Sequence, residues 1–299
     1  MKKVLKWIGI VIVGLIGLLI VALVLVFVVS NSRMNKTYDV QAESVTLTTD
    51  AQTIESGRHY AVTRGCVDCH GEDFGGGVVL DDPAIGVIYA PNLTSGQGGL
   101  AGYSDDDWVR AIRHGINQES KPLLVMPSQE YYFMSDEDLG AMIAFLKQAP
   151  KVDNQTPENS LAVMGRVLFV AGMFGDLPAE VIDHAAARPS VPVTGVTKEY
   201  GAYLAVTCIG CHGEDYAGGS VPGSPPDAPP AANLTPGGVM ANWSEADFLT
   251  AMHEGVRPDG SQIDRSMPWW SLGQMTDEEL KALWMFLQSV PSVVAASGG

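Results

Sequence analysis

Cysteine is scarce. The 299-residue chain has four, and all fall in two short motifs, Cys66-Val67-Asp68-Cys69-His70 and Cys208-Ile209-Gly210-Cys211-His212. Basic charge is also short: 18 Lys and Arg stand against 34 Asp and Glu, for a net charge of −16. Such a surface repels nucleic acid and attracts basic partners, although an acidic surface also serves simple solubility. Long alternating apolar–polar runs are missing, so short helices and glycine-rich loops must carry the fold.

Cys-x-x-Cys-His is the spacing of c-type haem attachment. Two thiols form thioether bonds to the porphyrin vinyls, and the adjacent His70 or His212 reaches the iron. Three other readings compete. A structural zinc site needs four ligands, and joining the two motifs into one all-cysteine site would leave both histidines idle. A thioredoxin-like redox motif gives the histidine no role. A disulfide framework suits an exported chain but predicts nothing downstream.

The haem reading predicts a sixth iron ligand in each half, and methionine is the usual partner of histidine in electron-transfer cytochromes. Met126-Pro127 follows Cys66 by 60 residues, and Met267-Pro268 follows Cys208 by 59. A loop closed by proline can hold a thioether over a ring, so Met126 and Met267 are the expected ligands. Met134 and Met275 also recur in register, directly before a helix start, and read as core filling.

These pairs belong to an internal repeat. Gly57-Arg58-His59-Tyr60-Ala61-Val62-Thr63 matches Gly201-Ala202-Tyr203-Leu204-Ala205-Val206-Thr207, with Arg64-Gly65 lacking a counterpart. Gly-Glu-Asp follows each haem motif, then Asn92-Leu93-Thr94 and Asn233-Leu234-Thr235. Ser104 with Asp107, and Ser244 with Asp247, resemble capping boxes whose helices stop at Gly115 and Gly255. Ser135 and Thr276 cap a final helix with apolar stripes Leu139, Met142, Ile143, Leu146 and Leu280, Leu283, Trp284, Leu287. Gly57 and Gly201 would let that helix approach closely, with Phe145 and Phe286 packing across the contact.

One long apolar run precedes all this. Trp7 to Val29 carries no charge, and Lys2, Lys3 and Lys6 precede it. A helix of that length covers about 35 Å, enough for a bilayer core, and the lysines favour an amino terminus inside. A cleaved signal peptide is the alternative, but its apolar region is normally shorter. With the anchor's three lysines removed, the remainder carries −19. The expected layout is an anchor over 1–35, a linker over 36–52, a first domain over 53–150, an interdomain segment over 151–194, a second domain over 195–292 and a disordered tail over 293–299. Within the interdomain segment, 161–174 is apolar apart from Arg166 and too short to span a membrane. It reads as a helix buried between the two domains or lying on the membrane surface, with extended linker around Pro189 and Pro192.

On the two haem motifs, the Asn-Leu-Thr segments, the Met-Pro pairs and the Ser/Thr-Asp-Glu-x-Leu helix starts, the chain resembles membrane-anchored dihaem c-type cytochromes. It looks most like the cytochrome subunits of periplasmic dehydrogenases such as the alcohol type, although the multihaem alcohol dehydrogenase subunit has a third haem domain. The resemblance implies an all-α fold of two tandem class I cytochrome c domains with two covalently bound haems. It implies His70 and His212 as proximal ligands, Met126 and Met267 as distal ones, and attachment outside the cytoplasmic membrane. It would also place Asn92 and Asn233 near haem propionates, with a turn hydrogen bond as the alternative.

The expected role is electron relay between a respiratory or periplasmic donor and a downstream acceptor, with a dehydrogenase or oxidase complex as partner. A dihaem enzyme, a peroxidase or sulfur-compound oxidoreductase, would instead need one open iron face. His59, His114, His184 and His253 are candidate groups for it, and each reads more simply as a surface or helix-end histidine.

Overall fold

The computed structural model describes residues 2–188, 190, 192–224 and 227–293. Pro189 and nearly all of the 293–299 tail lie outside them, and with them the readings made there. A long helix, α1 (Lys2–Met34), leads into two helical halves. The first holds α2 (Ala51–Thr63), α3 (Cys66–His70), α4 (Asp105–His114), α5 (Ser128–Tyr131) and α6 (Asp136–Leu146). Between the halves come α7 (Val163–Val170) and α8 (Pro178–Val181). The second half repeats the set as α9 (Lys198–Ala205), α10 (Ile209–His212), α11 (Glu245–Glu254), α12 (Trp269–Leu272) and α13 (Asp277–Leu287).

Capping explains the boundaries. Ser104 and Asp107 form a reciprocal capping box at α4, as Ser244 and Asp247 do at α11. Both helices end at a left-handed glycine, Gly115 (φ 66°) and Gly255 (φ 68°), a conformation with no Cβ penalty there. In each half the first helix crosses the last through its glycine. A Cβ on Gly57 would collide with the Ala141 carbonyl and lie 2.9 Å from the Phe145 Cβ; one on Gly201 would collide with the Ala282 carbonyl and lie 2.8 Å from the Phe286 Cβ. Beneath these crossings, Leu139, Met142, Ile143 and Leu146 are buried, as are Leu280, Leu283 and Leu287. Met134 and Met275 are buried in the same cores.

A small antiparallel sheet adds to the helical architecture: β1 (Gly77–Asp82), β2 (Gly86–Ala90) and β3 (Ser160–Leu161), in that order. Its strands are too short and irregular, with a bulge between Val78 and Leu80, to give a period-two pattern. The apolar segment does not lie between the two halves. Gly165 in α7 sits against the Ile85 carbonyl at the hairpin turn, and Phe169 is buried with Ile88 and Leu177 beside Met34 of α1. The glycine permits the close approach, and Phe169 finds its burial beside the end of α1.

The stretch after α1 is an extended strap laid on the first half, where Ala42, Val45 and Leu47 pack on its core. Glu43 is its polar anchor. His114, fully buried rather than at the surface, donates from Nε2 to Glu43 (3.1 Å), and its Nδ1 lies 3.0 Å from Nδ1 of His184. Arg188 also reaches Glu43, at 2.6 Å. Burial pushes His114 below its ordinary 6.5. Burial opposes the charge on Glu43, but His114 and Arg188 outweigh it and hold the carboxyl below its ordinary 4.5. Both groups therefore bind more protons when unfolded, so their stabilisation is complete above 6.5 and 4.5 and is lost as pH falls through the lower folded values. The thermal midpoint should fall on acidification from about pH 6.5, continuing below about pH 4.5. His114→Gln should flatten the upper part of that curve in circular-dichroism melts, and an unchanged slope would contradict this account.

Candidate haem sites

Each Cys-x-x-Cys-His folds as one short helical turn closed by a positive-φ glycine, Gly71 (φ 80°) or Gly213 (φ 77°). The turn buries the histidine and orients it. His70 Nδ1 lies 2.8 Å from the Pro91 carbonyl, and His212 Nδ1 lies 2.7 Å from the Ala232 carbonyl. A carbonyl only accepts, so Nδ1 carries the proton and Nε2 keeps its lone pair, the tautomer a metal requires. Burial pushes both imidazoles down and favours that neutral form.

The methionine turns repeat to within a degree. Pro127 has φ −79° and ψ 55°, and Pro268 has φ −78° and ψ 56°. The Ser128 amide donates to the Met126 carbonyl and the Trp269 amide to the Met267 carbonyl, both at 2.8 Å. This is an inverse γ-turn centred on proline, which fixes the methionine just ahead of a short helix.

A covalent haem fits these residues. In the second half Cys208, Cys211, His212 and Met267 line one partly open cavity, with Leu234, Met240, Phe248, Met252 and Leu283 among its apolar walls. In the first half Cys66 lies in the core beside Trp108, Val109, Ile112 and Met142, and Met126 packs against it. The rival chemistries fit less well. The cysteines are not paired in disulfides, and burial pushes the Cys66 and Cys208 thiols up to about 12, the opposite of a redox-active thiolate. Among the described residues no three His, Cys, Asp or Glu side chains gather to hold a metal by themselves.

Two features were not legible in the motifs. Phe74 and Tyr216, the fourth residue after each histidine, both sit at φ 58°, a strained position for an aromatic. Each is held edge-on to the last helix of its half, Phe74 on Phe145 (5.5 Å) and Tyr216 on Phe286 (5.6 Å). The second is the reach of Asn92 and Asn233, whose side chains clasp backbone 60 residues further along the chain. Asn92 Nδ2 donates to the Val152 carbonyl (2.7 Å) and its Oδ1 accepts from the Thr94 amide (2.9 Å). Asn233 does the same with Val293 (2.6 Å) and Thr235 (2.9 Å). Ala232 and Leu234, on either side of Asn233, line the second cavity. The turn hydrogen bond is the geometry found, extended to the chain that follows each domain's last helix.

The two halves interlock through their haem motifs. Asp68, between Cys66 and Cys69, accepts from Trp270 Nε1 (2.9 Å) and Ser271 Oγ (2.8 Å) in α12. In return, Gly210, between Cys208 and Cys211, packs on the Glu130 carboxylate of α5. Each haem-attachment turn thus rests on the helix that follows the other half's methionine. Burial pushes Glu130 up to about 7. His59 pairs with Glu279 at 2.9 Å across the same interface. Arg64, from the dipeptide with no counterpart in the repeat, is buried there, donates to the Leu204 carbonyl (3.1 Å) and lies over the Tyr203 ring (5.3 Å). Arg64→Met should destabilise the paired domains by about 1.5–3 kcal/mol, seen as a single unfolding transition splitting in two. One unsplit transition at the original midpoint would contradict it.

Comparison with known proteins agrees. Residues 52–146 match the family described as cytochrome c oxidase, cbb3-type, subunit III, and residues 199–291 match the cytochrome c family. The alcohol dehydrogenase (quinone) cytochrome c subunit of Gluconacetobacter polyoxogenes is 28% identical over 83% of this chain and 58% of its own length. The gluconate 2-dehydrogenase cytochrome c subunit of Pantoea cypripedii is 28% identical, over 79% of this chain and 59% of its own. The chain spans somewhat more than half the length of these dehydrogenase subunits. A diheme cytochrome c-type protein of Cereibacter sphaeroides is 26% identical over 77% of this chain and 83% of its own length. The two matched stretches are tandem cytochrome c domains, and with them come two covalently bound c-type haems.

Proposed function

We propose that the chain relays electrons from a membrane-bound or periplasmic dehydrogenase to a downstream acceptor, through two His/Met-ligated haems held on the outer face of a membrane. The observation that carries this is the duplicated site. In both halves a buried histidine has Nδ1 bound to a carbonyl and Nε2 free, and a methionine follows on the same proline-centred turn. Haem iron supplies one-electron chemistry. His70 and His212 would hold the iron on one side and Met126 and Met267 on the other, which would leave no open position for substrate.

Similarity to cytochrome subunits of alcohol, gluconate and fructose dehydrogenases supports the donor class. The apolar helix α1 is long enough to cross a bilayer, and Lys2, Lys3 and Lys6 favour the orientation that leaves the haem domains outside. The acidic remainder of the chain suits a basic docking face on the partner.

Intact-mass and optical measurements on the purified full chain test the reading. Two covalent haems are expected, reduced to one by Cys66→Ser with Cys69→Ser. The oxidised protein should be low-spin and should not turn over peroxide. Bound zinc, or a disulfide in place of haem, would remove the basis of the proposal, and rapid peroxide turnover would favour an enzyme.

A further inference from the structure

We infer that α7 is a second membrane contact, seated at the headgroup–acyl boundary beside the exit of α1, and that it fixes the haem domains against the bilayer. The inference rests on the reading of α1 as a membrane span.

The contacts set the depth of α7. Arg166 donates from Nη1 to Ser30 Oγ (2.8 Å) and lies over the Phe27 ring (4.2 Å). Phe169 lies under the Arg33 guanidinium at 4.6 Å. These positions on α1 run from its last apolar turn into its first polar one, where Ser30-Asn31-Ser32-Arg33 succeeds Val28-Val29. They cover about 9 Å of helix rise, so α7 sits where the hydrocarbon core gives way to headgroups.

Its surface suits that level. Arg166 is the single charge in 161–174, and it is turned back onto α1. Val163 is 64% exposed, Met164 53% and Met173 50%. On α1, Phe27, Val28 and Val29 at the same end of the span are exposed and apolar too. On a strongly acidic chain an uncharged apolar patch in water is costly, and beside a membrane helix it is covered by lipid. Further along α1 toward the domains, Arg33 holds Glu180 at 2.5 Å and Asp176 at 3.3 Å.

The consequence is orientation. Gly165 locks α7 to the hairpin turn at Ile85, and the strap from residue 36 is bound to the first half by Glu43. The haem pair is therefore a fixture on the membrane, presenting one face to its partners, rather than a body on a free tether.

Photolabelling tests this on the full haem-loaded chain in phosphatidylcholine nanodiscs carrying a diazirine in the acyl chain. Peptide mapping should find adducts in residues 7–29 and in 163–173, and none in α11. Adducts in 7–29 without any in 163–173 overturn the inference while leaving the anchor standing; no adducts in 7–29 overturn the anchor itself. Val163→Glu with Met164→Glu, both at exposed positions, should remove the 163–173 adducts and keep those in 7–29. Hydroxyl-radical oxidation gives a second readout, with exposed Met285 as the solvent control. Met164 and Met173 should be shielded in nanodiscs, whereas shielding only in native membranes would assign the surface to a protein partner and overturn the lipid assignment.

Discussion

Met267→Ala is expected to remove about half of the far-red sulfur-to-iron band of the oxidised protein, Met126→Ala the other half, and the double change all of it. Each substitution should lower the reduction potential of its own haem by on the order of 100 mV, a fraction of the roughly 0.8 V range that axial ligands set. Met267 lines the same cavity as His212, and the turn at Pro268 leaves its backbone little freedom. Alanine leaves the iron's sulfur side open to water, so a high-spin signal should appear with the loss of the band. The thermal midpoint should change less than the spectrum, because the core beneath is formed by Leu280, Leu283 and Leu287. If neither variant alters the band, both methionines are core residues and the sixth ligand lies elsewhere. Peroxide reactivity gained only by the variants would confirm that occupied iron faces keep the wild type an electron carrier.

What could be read from the residues was what local spacing encodes. Ser104-x-x-Asp107 closes hydrogen bonds within one turn of chain, and Cys66-x-x-Cys69-His70 sets its thiols and imidazole on one turn. Both therefore survive translation from sequence to structure. The repeat extended this reach, because an apolar stripe seen twice at the same offset marks a core. What escaped depends on residues far apart. The clasp of Asn92 on Val152, the seat of α7 on α1 and the grip of Arg64 on Leu204 are each decided by tertiary packing. The positive φ of Phe74 and Tyr216 was hidden because aromatic residues seldom adopt it, and only packing on Phe145 and Phe286 holds them there. One clue did lie in plain view. Arg64-Gly65 interrupts the repeat, and the interruption supplies the arginine that joins the two copies. In a duplicated protein, a residue pair present in one copy only is a candidate for the contact between copies.

Gly57→Ala and Gly201→Ala should each destabilise their own domain by about 2–3 kcal/mol, the upper part of the range for an overpacked core. The sign is diagnostic. In an exposed helix the same change would stabilise by about 1 kcal/mol, since alanine is the better helix former. Here the new methyl group meets the carbonyl oxygens of Ala141 and Ala282, which belong to the backbone and cannot rotate away. The helices α2 and α6, or α9 and α13, must separate, which loosens the packing of Phe145 or Phe286 on Phe74 or Tyr216. The loss should therefore reach the haem site as well as the fold. In denaturant titrations the far-red band of the altered half should disappear at lower denaturant than that of the intact half, although both haems stay covalently attached. Gly102→Ala is the control, because nothing lies within 4 Å of a Cβ placed there, and it should leave both transitions in place. A stabilising Gly57→Ala would mean that the α2–α6 crossing is wider than described and that glycine is there for some other reason.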